Sequence, residues 1–271
     1  MNSTQTLFIK MIQCLSLCLI CGILAFPPNL YAQNSQAFYQ QLITSYVNKI
    51  ENIYDGTWAY TYKIDDKLEQ ESITRRIDPG LDFLESDTLL AINGKSPSVD
   101  RLAAHQKRMQ RRLQRRLRNS NNSNLNNREP LSAEESRRRY LEEDGNEKER
   151  FLAMLIAESI MLVKQEGPLL YLDFKAEEPE REAIYTHLQG SLILDTENEY
   201  IKELQVRSIN PFSPFFISRI EDGYLSVRFT LVNGKPMQQS MNWRLSGQLF
   251  LVRNMDAEQE VEWTDFSKVP N

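Results

Sequence analysis

The chain has 271 residues, of which 41% are hydrophobic and 25% charged, with a formal net charge of −5. It is too apolar for a disordered polymer, and long enough to build one core or two. The acidic balance excludes wholesale nucleic-acid binding, and Cys14, Cys18 and Cys21 all fall near the start, so no disulfide framework staples the remainder.

Residues 1–32 have the form of an export signal. Lys10 is the only charge within them, the run from Leu15 to Phe26 is almost wholly apolar, and Pro27-Pro28 precedes Leu30-Tyr31-Ala32, which ends on the small residue a signal peptidase needs. The apolar run is too short to span a bilayer comfortably, and no later segment is longer. Cleavage after Ala32 is expected, leaving residues 33–271 as one periplasmic domain without cysteine. Ile20 stands before Cys21 where a lipoprotein signal wants Gly, Ala or Ser, which disfavours lipid attachment there.

Ser35 can cap a helix over 35–53, with Phe38, Leu42, Tyr46, Ile50 and Ile53 on one face. From Thr57 the period changes to two: Trp58, Tyr60, Tyr62 and Ile64 share a face. Asp65-Asp66 reads as a turn, 67–77 as a return strand, and 88–92 as a third strand ended by Asn93-Gly94.

Ser96-Pro97 reads as a helix start, and the helix should reach about Leu117. Val99, Leu102, Met109, Leu113 and Leu117 form its thin apolar stripe. Two basic ridges flank the stripe at steps of four: Lys107, Arg111 and Arg115, then Arg108, Arg112 and Arg116. The Asn-rich stretch 119–127 reads as a flexible linker. Ser132 to Glu135 forms a capping box for a second charged helix. Residues 98–150 together read as a charged helical insertion between two β-rich parts.

Beyond Phe151, strands are expected over 159–164 and 169–175, a short helix over 181–188, and a hairpin of 191–195 with 200–209. Further strands follow over 216–220, 224–232, 237–246, 249–254 and 260–266. Asp222-Gly223, Asn233-Gly234 and Gly247 read as turns between them. Leu225, Val227, Phe229 and Leu231 alternate with polar residues, as do Met241, Trp243 and Leu245, so each strand buries one face. About ten antiparallel strands with two helices to cover the apolar face predict an α+β fold: a strongly curved sheet, or half-barrel, capped by helices.

The segments SDTLLAINGKSPS (86–98), LQVRSINPFSPFFISRIEDGYLSVRF (204–229) and LFLVRNMDAEQEVEWTDF (249–266) resemble exported bacterial proteins of poorly known role. With the N-terminal helix and charged middle, their order resembles the half-barrel class of the periplasmic lipoprotein carrier and its outer-membrane receptor. That resemblance implies an apolar concave face that holds acyl chains under helices. It places no functional residue of the carrier on a position of this chain.

No catalytic motif is present. His105 and His187 have no carboxylate or cysteine at ligand spacing, so neither reads as a metal ligand. There is no Gly-x-Ser-x-Gly turn and no phosphate loop. Asp65-Asp66, Asp195 and Glu221-Asp222 sit where carboxylates assist turns. A non-enzymatic protein without metal or cofactor is expected. Its ligand would be a lipid, acyl chain or other apolar molecule in the concave face. Trp58, Tyr60, Tyr62, Leu204, Val206, Val227, Phe229, Leu231 and Trp243 are the cavity candidates. Lys107, Arg108, Arg111, Arg112, Arg115 and Arg116 are candidates to meet an anionic membrane surface or an envelope protein. The alternative is a scaffold with a filled core that docks a protein through helix 98–118.

Overall fold

The structure is a computed structural model that describes residues 28–125, 148, 152, 155, 157–175, 187–215, 218–249 and 253–270. In chain order the elements are α1 (Pro28–Lys49), β1 (Trp58–Asp66), β2 (Glu71–Ile77), β3 (Asp87–Ile92) and α2 (Val99–Leu125). A short 3-10 turn (Ala157–Ser159), β4 (Met161–Glu166), β5 (Leu169–Lys175), β6 (Leu188–Asp195) and β7 (Tyr200–Ser208) follow. β8 (Phe212–Phe215), β9 (Ser218–Val232), β10 (Lys235–Leu249) and β11 (Arg253–Lys268) complete the chain. The expected capping box and second charged helix, and most of the expected helix 181–188, lie outside the described residues.

All eleven strands join one antiparallel sheet, which does not close. Its order is β3-β2-β1-β11-β10-β9-β7-β6-β5-β4, with β8 paired to β9. Neighbours in space are therefore neighbours in the chain, with two exceptions: β7 pairs with β9, past the short β8, and the sheet is joined across its chain ends. The first strand pairs with the last, from Trp58 opposite Lys268 to Asp66 opposite Gln259. The two edges, β3 and β4, are consecutive strands, and α2 lies in the connection between them.

Register explains how the faces divide. Directly opposed residues in an antiparallel pair share a face. From the β4 edge inward, Leu162 opposes Leu172, which opposes Leu192, then Leu204, then Val227. The row continues through Met241, Val261, Ile64 and Ile73 to Ile92 on the β3 edge. One unbroken apolar row thus crosses ten strands. The residues beside it in sequence form a polar row on the opposite face: Asp173, Ser191, Gln205 and Ser226 in register, then Asn242, Glu260, Asp65 and Ser72.

The apolar face is buried in two clusters. In the first, Ile43, Tyr46 and Val47 of α1 pack on Leu170, Leu172 and Phe174 of β5, Leu192 and Leu194 of β6, and Ile201 of β7. The second joins Ile53, Trp58, Tyr60, Met237, Val261 and Trp263. Phe38, expected on the buried face of α1, is 56% exposed, and the buried stripe runs one position further round the helix. α1 begins at Pro28, a residue suited to a first helical turn, so it spans Ala32.

Three expected turns are absent because long strands run through them. Asp222-Gly223 lies inside β9, where Gly223 opposes Leu245 without a positive φ. Gly247 sits in a bulge of β10: a Cβ there would stand 2.1 Å from the Arg219 carbonyl oxygen. The strand expected over 249–254 is not a separate element: Leu249 ends β10, residues 250–252 lie outside the described residues, and 253–254 begin β11, which also contains the strand expected over 260–266. Asp65-Asp66 belongs to β1, and the turn follows at 67–70. Asn233-Gly234 does turn, with φ of 52° and 77°, as a two-residue hairpin requires.

Gly190 is demanded by packing. It opposes Phe174, whose ring lies where a Cβ would stand, 2.0 Å from Cζ. Gly190→Ala should destabilise the fold by about 1–3 kcal/mol through overpacking. Combining it with Phe174→Leu should cost less than the two single losses summed. Urea unfolding of the four-member cycle measures that coupling, and simple additivity would show that the two residues do not share this space.

Candidate functional site

α2 docks on the apolar face through a polar contact. Ser98 caps it, its hydroxyl accepting the Arg101 amide at 3.3 Å, two residues later than the expected start. Of the expected apolar stripe only Met109 is buried. Val99, Leu102 and Leu117 are exposed, and among the described side chains of α2 the other buried one is His105. The helix continues to Leu125, into the stretch whose composition reads as a linker.

The docking contact centres on Asp87, which is buried at the start of β3. Arg75 of β2 grips it in bidentate fashion, Nε donating to Oδ1 at 2.8 Å and the terminal nitrogen to Oδ2. The Arg75 guanidinium also lies over the Tyr62 ring, 5.5 Å from its centroid. From α2, the His105 Nε2–H donates to the Asp87 carbonyl at 2.7 Å, and Arg112 stands 3.8 Å from the carboxylate. Because a carbonyl only accepts, this contact places the histidine proton on Nε2. Sequence spacing gave His105 no carboxylate neighbour; the fold supplies one, with Asp87 Oδ1 at 3.7 Å.

Burial, followed by the charges of Arg75, Arg108 and Arg112, pushes the His105 pKa below its ordinary 6.5. Burial likewise lowers Arg75 and, against the pull of Arg75, Arg112 and Arg108, raises Tyr62.

Beside this cluster lies a groove of about 440 Å³, lined by Ile77, Phe83, Ser86, Asp87, Met109, Arg112 and Arg115. Its volume falls in the range of about 300–1,000 Å³ typical of small-ligand clefts. The lining joins three apolar side chains to two arginines, an arrangement that suits an amphiphile with an anionic end.

The sequence-derived cavity candidates do not line this groove. Trp58 and Tyr60 are buried in the second cluster, with half-buried Tyr62 packed against it. Leu204 and Phe229 pack against the first cluster. Val227 opposes Leu204, Val206 opposes Leu225, and Trp243 also opposes Leu225, while Leu231 opposes Pro236; all four are half-buried. The Trp243 indole N–H donates to Gln259 at 3.3 Å. The basic candidates divide: Arg112 and Arg115 rim the groove, while Lys107, Arg108 and Arg111 are exposed on α2. The Arg116 side chain lies outside the described residues.

Sequence reasoning missed Phe83, Asp87 and the roles of Arg75 and His105. One signal was available. Ile73, Arg75 and Ile77 share a face by period two, and an arginine between two inward isoleucines needs a buried anion.

Among the described residues no group of three or more His, Cys, Asp or Glu side chains is placed to hold a metal ion. No described helix is long and apolar enough to cross a membrane. Comparison with protein-family models, curated proteins and solved structures returns no match.

Two predictions follow from the Asp87 cluster. Asp87→Ala would leave Arg75 buried and uncompensated, which should cost about 3–5 kcal/mol in urea unfolding. His105 stabilises the fold as the neutral ring. Its contribution is present in full above its ordinary pKa and is lost as pH falls through the depressed folded value. The melting temperature of the wild type should therefore drop more between pH 7 and pH 5 than that of His105→Gln; parallel curves would show that the histidine does not titrate against the fold.

Proposed function

We propose that this is a non-enzymatic cell-envelope protein that binds a lipid or acyl chain between α2 and the sheet. In this reading the sheet is strongly curved, a half-barrel of the lipoprotein-carrier kind, and α2 belongs to a charged insertion that covers its mouth. The observation that carries the reading is the groove itself, with Ile77, Phe83 and Met109 as apolar lining and Arg112 and Arg115 at the rim. Burial of each methylene contributes roughly 0.8 kcal/mol, so a short chain supplies several kcal/mol without any dedicated polar contact. The arginines would then select an anionic head or hold the protein at an anionic bilayer. The exported form of the chain, with its signal removed, would meet such lipids in the envelope.

A second reading is favoured by one observation: Val99, Leu102 and Leu117 are exposed beside exposed Lys107, Arg108 and Arg111 on the same helix. In that reading α2 docks an acidic protein partner, and the sheet is scaffold.

Native mass spectrometry of the protein from its own envelope should show a bound lipid, and a fluorescent fatty acid should bind and be displaced by it. Arg112→Gln with Arg115→Gln should weaken binding to anionic vesicles by about 2 kcal/mol at low salt, roughly thirtyfold. A ligand-free protein that neither takes up the fatty acid nor sediments with vesicles would remove the lipid reading.

A further inference from the structure

The face of the sheet opposite α1 and α2 carries a second, chemically different depression. Two adjoining cavities, of about 320 Å³ and 160 Å³, share Asp173, Ser191 and Gln205. All three belong to the polar row of β5, β6 and β7. Glu203 lines the larger cavity and Arg207 the smaller.

The side chains here are held in place before any ligand arrives. Gln189 donates to Asp173 Oδ2 at 3.2 Å and accepts from Arg207 at 3.4 Å. Three donors meet at Oε1 of Glu203: Ser226 at 2.8 Å, Gln205 at 2.9 Å and Arg228 at 3.2 Å. Burial works to raise the Glu203 carboxyl, but these partners outweigh it and keep it below the ordinary range. At one end the Lys164 ammonium lies over the Tyr171 ring, 4.1 Å from its centroid, and covers that face, with Ile193 nearby in the lining.

We propose that this groove binds a neutral oligosaccharide. Its groups are planar amides, carboxylates and a guanidinium, which can each donate to or accept from paired hydroxyls. Within the lining the cations Lys164 and Arg207 balance Asp173 and Glu203, so no charged ligand is preferred. Ile193 offers apolar surface for the C–H face of a sugar ring. The two cavities follow the polar row across β5, β6 and β7, and Ser226, the next residue in register, is buried against Glu203 and closes that end. From Asp173 to Gln205 it spans two strand spacings, about 10 Å, enough for about two sugar units. Preorganisation lowers the ordering cost that weakens such polar binding. The groove is on the other face from the lipid site, and the inference does not depend on that site.

Calorimetry and amide chemical-shift titration of the full chain with maltohexaose, cellohexaose and the hexamer of N-acetylglucosamine test the proposal, with oligogalacturonate as the anionic contrast. At least one neutral hexamer should bind at millimolar or lower concentration, with shifts at Ser191, Gln205 and Ser226. Asp173→Asn and Gln189→Ala should each weaken it by about tenfold, the loss of one hydrogen bond or two, with the melting temperature unchanged. Arg112→Gln with Arg115→Gln should leave saccharide binding intact while lowering vesicle binding. Failure of all three neutral hexamers to bind, exclusive binding of oligogalacturonate, or binding indifferent to both groove variants would overturn the proposal.

Discussion

The structure depends on a single register. Ten strands set apolar side chains directly opposite one another from Leu162 to Ile92. Each such pair contributes on the order of 0.2–1 kcal/mol, and the sum is cooperative because every strand in the row uses the same side. Slipping one strand by one residue would turn its apolar side chain to the polar row and put a Ser, Glu or Asp in the core. The choice of register therefore decides both faces at once. One receives the helices and the oily clusters; the other carries hydroxyls, amides and carboxylates.

The helices meet the apolar face in different ways, and this difference shapes what each can do. α1 is held by near-complete burial of Ile43, Tyr46 and Val47, a contact that is apolar except for the Tyr46 hydroxyl. α2 is held by a polar contact assembled from three elements: Asp87 on β3 pairs with Arg75 on β2, and His105 from the helix donates to the Asp87 main-chain carbonyl. Burying an isolated charge is costly, so the contact is sound only when every member is present. That makes α1 a permanent part of the core and α2 the cover whose seating answers to charge and acidity. The groove of Ile77, Phe83 and Met109 lies against the second helix.

Much of the strand layout is legible in the residues. Leu169–Lys175 stands where alternation and the Gly167-Pro168 turn place it, and Asn233-Gly234 turns as its chemistry requires. Asp195 assists its turn by accepting the amides of Glu197 and Asn198. The errors have physical causes. Asp-Gly favours a turn only when no partner strand offers a better ladder, and β10 offers one across Gly223. Gly247 marks a bulge because a carbonyl crowds it, which no local pattern reveals. The candidate site was less legible. Its basic helix was visible, but Asp87 and Arg75 are twelve residues apart and gain meaning only when β2 and β3 pair. The hydroxyl and amide groove was hidden for the same reason, since its members come from separate strands.

Pairing of the first strand with the last has a temporal consequence. A ribosome or a translocation pore delivers β1 to β3 long before β11 exists, so the early hairpin must wait with its inner flank unsatisfied. The remaining strands can zip in the order of their appearance, but the two portions cannot be welded until the final residues arrive. Such a chain gains its stability late, and a premature stop within the terminal strand would leave one chain with two unjoined parts of a sheet, each with a bare edge, rather than a slightly shortened protein.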